Sequence, residues 1–140
     1  MKEKQIKIKR TWWILGNGAV FSKNVIRIRG KEKAKIAQRC AKDILESDKW
    51  IVLTPQYFNN SSLSLFRMKQ IVHLFRHELY HIYQLREWGY LRYYWYWFTD
   101  RARIEGAARD YQATYLTRPD TTIKSIKRHI KHNEKQYNDD

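Results

Sequence analysis

With a single cysteine, Cys40, the chain can form no disulfide framework and no zinc site built on cysteine sulfur. Cys40 lies in a helical-looking run and reads as an inert buried thiol, and nothing argues for an oxidising compartment. Prolines number two and glycines five, and there is no low-complexity linker and no internal repeat. Acidic residues are scarce: 14 against 28 basic ones, for a net charge of +14. That excess favours anionic partners such as nucleic acid, anionic lipid or an acidic protein surface, without choosing among them. No apolar run approaches the roughly 20 residues that span a bilayer, so no transmembrane segment is expected. The start, MKEKQIKIKRTWWILGNGAVF, imitates a signal peptide, but Gly16-Asn17-Gly18 breaks its apolar part and no small-residue cleavage site follows. A cytoplasmic location is therefore the default expectation.

What is present suits one domain: 140 residues can bury a core without staples. Aromatic residues reach 15%, more than a domain of this size can hide, so some must be exposed or lie at an interface. QIKIKR and NVIRIR alternate apolar and basic residues as strands do, and WWIL-GNG-AVF reads as a hairpin or tight turn between strands. Residues 31–48 carry Ala34, Ala37, Cys40, Ala41, Ile44 and Leu45 at helical spacing. WIVLT, residues 50–54, is a short strand stopped by Pro55, and residues 59–62 form a loop. A long helix starts with Ser62 or Ser64 as cap and runs to about Trp88, with Gly89 just past its end. Thr99 or Asp100 caps another helix through about Leu116, and Pro119 breaks it. A basic helix over 121–137 carries Ile123, Ile126 and Ile130 as a thin apolar stripe. Strands early and helices late predict an α+β fold, divided into a domain over 1–118 and a basic helical tail over 119–140.

The chemistry concentrates in FRHELYHIYQLREWG, residues 75–89. His77 and His81 stand four residues apart, so on a helix their imidazoles face the same way and can share one tetrahedral zinc ion. Glu78, beside His77, matches the glutamate of H-E-x-x-H sites, which binds no metal but takes the proton of the attacking water and passes it to the leaving group. Ile71, Phe75, Leu79, Ile82 and Leu85 supply the face that buries such a helix. The plain alternative is a core helix with incidental histidines; His73 extends the row and reads as a partly exposed helix residue.

A catalytic zinc needs a third protein ligand. In the long-helix solution a glycine turns the chain back toward the metal. Here Gln84 takes the glycine position, and Glu87 takes the final one, about 9 Å along the axis beyond His81. The other solution takes a glutamate from a second helix, and Glu105 in RARIEGAAR offers one. Gly106, Ala107 and Ala108 would let that helix come close, and a packing role would account for a mid-helix glycine. Glu105 could instead be a surface partner of Arg101 or Arg109; His129, His132, Asp100 and Asp110 are further candidates.

HELYHIYQ, followed 24 residues after His81 by EGAAR, resembles the gluzincin-type zinc metallopeptidases. The likeness is greatest to short peptidase-like domains of bacterial and phage proteins, with an H-E-L-x-H-x-x-Q helix and a later Glu-x-x-Ala helix. It covers residues 50–115, and the N-terminal strands loosely. The resemblance implies a zincin-like fold: a small N-terminal β-sheet, then the H-E-x-x-H helix, then a glutamate-bearing helix. It implies zinc bound by His77, His81 and Glu105, with Glu78 as general base and a protein or peptide as substrate. It also implies an edge strand, 50–54, that binds substrate backbone by strand addition. Gluzincins often place an aspartate four residues after the ligand glutamate, bonded to a ligand histidine, and here that position is Arg109. Tyr83, Tyr111 and Tyr115 are candidates for the oxyanion donor by residue type.

Two surfaces fall outside this chemistry. The aromatic run over 90–98 packs partly on the histidine helix and leaves the rest for a partner, such as a neighbouring subunit of a larger assembly. The basic ends, with Lys124, Lys127, Arg128 and Lys131 in the second, suit non-specific phosphate or nucleic-acid contact or subunit docking. The leading expectation is a zinc metallohydrolase, a peptidase; the other is a zincin-fold structural or interaction component, as in a phage virion, with a structural or vestigial metal.

Overall fold

Alternation sets the first part of the structure: Ile6 and Ile8 turn inward while Lys7, Lys9 and Arg10 stay in solvent. The computed structural model describes residues 6–47, 65–114 and 123–139. Over these the chain is α+β, with a three-stranded sheet and four helices. Strands β1 (Lys7–Arg10), β2 (Gly18–Ser22) and β3 (Val25–Ile28) lie in the order β1-β3-β2. β1 runs parallel to β3, and β2 antiparallel to it, with a bulge between Val20 and Ser22.

The expected turn at Gly16-Asn17-Gly18 is corrected here. Residues 12–17 form no strand, and the tight turn is Lys23-Asn24, between β2 and β3. The cause is the parallel β1–β3 pairing. β1 and β2 occupy opposite edges, so the chain must cross from one edge to the other, which a hairpin cannot do. Two backbone bonds hold the crossing segment at its ends: Thr11 N–H to Ile28 O at 2.9 Å, and Arg29 N–H to Asn17 O at 2.9 Å.

Gly30, at φ +100°, turns the chain into α1 (Lys31–Ser47), where Ala34, Ile36, Ala37 and Ala41 are buried. The side chains of Cys40, Ile44 and Leu45, the predicted strand 50–54, the loop 59–62 and the caps Ser62 and Ser64 lie outside the described residues. α2 (Leu65–Thr99) consists of two helical segments joined at Gly89, whose φ of 82° and ψ of 167° suit a residue without Cβ. The first segment stops where expected, and the aromatic run is itself helical.

A single residue, Asp100, separates α2 from α3 (Arg101–Thr114). The Asp100 carbonyl accepts the Arg103 N–H at 3.0 Å, while the Thr99 hydroxyl donates back to Trp95 O at 2.7 Å. Asp100 thus takes the cap position, and Thr99 belongs to the last turn of α2. The predicted end of α3 near Leu116, Pro119 and the 118/119 boundary lie outside the described residues.

The last helix, α4 (Ile123–Asp139), buries Ile123, Ile126 and Ile130 in the same core as the sheet and α2, with Lys124, Arg128 and Lys131 outward. Polar bonds add to that packing. Tyr80 O–H meets His129 Nδ1 at 2.7 Å, and His129 Nε2 meets Asp110 at 2.7 Å. Trp88 Nε1–H donates to Glu134 at 3.1 Å, and Arg92 pairs with the same carboxylate. Among the described residues no helix is long and apolar enough to cross a membrane.

Candidate metal centre

Four-residue spacing places His77 and His81 on one face of α2, with ring centroids 4.6 Å apart and planes nearly perpendicular. α3 packs against α2, and its buried face carries the small residues Ala107 and Ala108 beside Ile104 and Tyr111. Gly106 takes no part: a Cβ there would meet nothing within 4 Å, so its expected packing role is corrected and the two alanines hold it.

Glu105 reaches across. Its Oε2 lies 3.1 Å from His77 Nε2 and its Oε1 3.2 Å from His81 Nε2, and the two Nε2 atoms are 3.0 Å apart. Ligand bonds of about 2.0–2.1 Å in a tetrahedral zinc site put neighbouring donors about 3.3 Å apart. The two imidazole nitrogens are thus near that spacing, the Glu105 carboxylate sets one oxygen against each of them, and one ligand atom from each residue lies within 4.8 Å of the others. Among the described residues, this is the group of histidine and acidic side chains close enough to hold a metal ion.

Gln84 fixes the tautomer of His81. The Gln84 amide nitrogen donates to Ile104 O at 3.1 Å, so its oxygen must be the atom 2.7 Å from His81 Nδ1. Two acceptors cannot bond each other, so Nδ1 carries hydrogen, and Nε2 is the nitrogen that faces Glu105 and His77: it donates to Glu105 when the ring is protonated and offers a metal its lone pair when it is not. Gln84 is fully buried, so this orientation is held by packing as well. The position read as a missing glycine thus supplies the orienting bond that Arg109, exposed on α3, does not.

Glu78 is buried, and its carboxylate lies against the start of β2. A Cβ on Gly18 would sit 2.9 Å from Glu78 Cγ and 3.1 Å from its Oε1. The absence of a side chain there makes room for the acid. Burial pushes the Glu78 carboxyl up, against the pull of His81 and His77. Hydrogen bonds to His77 and His81 hold Glu105 far below the usual carboxylate range. Burial acts to lower His81, but its bond to Glu105, the charge of Glu78 and the Gln84 bond outweigh that, and its pKa is raised.

Two of the tyrosines named from sequence have contacts of their own. The Tyr111 hydroxyl pairs with Ser125 Oγ at 2.9 Å, and the Tyr83 ring is covered by Arg86 and Lys127. Tyr115 lies outside the described residues. Tyr93 was not among the residues named from sequence. It is buried, and its phenol is pushed far up by burial and then by the charges of Glu78 and Glu105, which places it in the field of both acids. Only its place in the aromatic run marked it beforehand.

Of the remaining candidates, His129 and Asp110 are bonded to each other and His132 is exposed. His73 lines, with His77, a cavity of about 520 Å³ whose walls include Asn17, Lys33, Arg67 and Gln112. No family model, curated protein or solved structure matches the chain.

Proposed function

We propose that the protein is a zinc-dependent hydrolase of zincin-like fold, acting on peptide bonds. One observation carries the reading: His77, His81 and Glu105 converge, each pair in contact at 3.0–3.2 Å, beside a buried acid, Glu78, that is not among them. A purely structural site has no need of that acid. Zinc held by His77, His81 and Glu105 supplies a Lewis acid that acidifies water and polarises a carbonyl.

Glu78 accepts the proton from the attacking water. As the water oxygen bonds to the carbonyl carbon and the C–N bond breaks, Glu78 returns that proton to the leaving amine. Its burial beside the cluster, apart from the three ligands, suits both halves of the exchange. β2 pairs with β3 on one side only among the described residues and touches Glu78 through Gly18, so its other edge offers the substrate backbone a pairing strand.

A second reading keeps the metal without turnover, as a structural or interaction component in an assembly such as a virion. The exposed aromatic side chains of α2 favour it. Zinc content and casein hydrolysis separate the two. The expected result is one zinc per chain in wild type and Glu78→Gln, with hydrolysis about 10²–10⁴-fold slower in the variant. Zinc bound by both with no cleavage by either supports the second reading. Stoichiometric zinc in His77→Ala, or unchanged affinity in Glu105→Ala, refutes the ligand set.

A further inference from the structure

Large apolar side chains project from two neighbouring parts of the surface. On the second segment of α2, Leu91, Trp95 and Phe98 are 92%, 66% and 83% exposed, and their spacing puts them on one helix face. On the segment between β1 and β2, Trp12 and Leu15 are 81% and 103% exposed. Contacts join the two parts. Trp13 stacks on Phe21 at 5.7 Å, the Tyr94 hydroxyl donates to Phe21 O at 2.6 Å, and Lys23 N–H donates to the Tyr90 hydroxyl at 3.1 Å.

The charge around these side chains is predominantly basic, with Glu87 and Asp100 at the two ends of the helical stretch. Between Ile6 and Gly30 there is no acidic residue and there are six basic ones: Lys7, Lys9, Arg10, Lys23, Arg27 and Arg29. Between Trp88 and Thr99 there is no acid either, and Glu134, which reaches this helix from α4, is held by Arg92 and Trp88. Arg27 lies over Trp13, Lys23 over Tyr90 and Arg101 over Trp97.

We infer that this face docks the protein on an anionic lipid bilayer, with Leu15, Leu91, Trp95 and Phe98 entering the headgroup–acyl boundary and the flanking cations meeting lipid phosphates. Trp, Phe and Leu above a basic collar are the side chains this boundary accepts. A second copy is the poorer occupant, because two chains of +14 repel each other. A folded protein partner would need pockets matched to several separate projections, whereas acyl chains adapt to each one.

The test is co-sedimentation of the full chain with vesicles of phosphatidylcholine alone and of equimolar phosphatidylcholine and phosphatidylglycerol, together with quenching of tryptophan fluorescence by brominated lipid. Binding should require the anionic lipid and be accompanied by quenching. Leu91→Ser/Trp95→Ser/Phe98→Ser should weaken partitioning by about tenfold or more with circular dichroism and zinc content unchanged. Three results would overturn the inference: no binding to anionic vesicles; binding without quenching, or undiminished in the triple variant, which is charge attraction alone; or a concentration-dependent dimer that the triple variant abolishes. None depends on hydrolysis, so failure here leaves the proposed function standing, and the reverse also holds.

Discussion

Gln84 shows how much one side chain can decide. It bonds the His81 ring with one end of its amide and the backbone of α3 with the other, so it sets a tautomer and ties the two ligand-bearing helices together. Gln84→Ala should therefore lower zinc affinity about 10–100-fold while leaving the three ligands in place, measurable by competition with a zinc-binding dye. Gly18 makes the opposite kind of contribution, through what it lacks. Gly18→Ala sets a methyl group against Glu78 Cγ and Oε1, and should cut hydrolysis at least about tenfold with zinc stoichiometry unchanged. Equal activity in that variant would mean that the Glu78 carboxylate need not sit where Gly18 admits it.

At the scale of elements, the site depends on the approach of α3 to α2, which Ala107 and Ala108 permit. Gly106 lies between them and Glu105 in sequence but has open space around its Cα. A helical glycine with no contact to preserve only weakens its helix. Gly106→Ala should raise stability by about 0.5–1 kcal/mol, seen as a higher denaturation midpoint with unaltered zinc binding. α4 belongs to the same packing unit: its isoleucine stripe enters the common core, and the Asp110–His129–Tyr80 chain links it to both α3 and α2.

Over the whole molecule, protons and metal compete for the same lone pairs. In the metal-free protein, His81 is raised above its ordinary 6.5, so it adds stability that is fully present below that pH and is lost as pH rises through the folded value. Glu78, raised by burial, acts in the same direction. Glu105 is depressed below its ordinary 4.5, so its contribution is present above that pH and disappears only in stronger acid. Metal-free protein should therefore lose stability between about pH 6 and pH 8, while zinc-loaded protein gains it, because deprotonated imidazoles bind the ion more tightly. Urea midpoints with chelator and with zinc at the two pH values check this. Parallel slopes would show that no metal displaces protons at the cluster.

Spacing along one helix was readable from sequence, since the 3.6-residue repeat already fixes His77 over His81, and Gly89 marks the end of their segment by its need for positive φ. The same holds for the alternating strands and for the isoleucine stripe of α4. What depends on two elements meeting was not fixed in that way. Glu105 was one of several acids and histidines until α3 packed on α2, and the bond from Gln84 exists only because Ile104 O lies opposite it. The hairpin was misplaced because the parallel pairing of β1 with β3 joins residues distant in the chain. Local periodicity is a property of backbone geometry, whereas these contacts follow from burying several apolar faces in one core, and only the folded chain decides them.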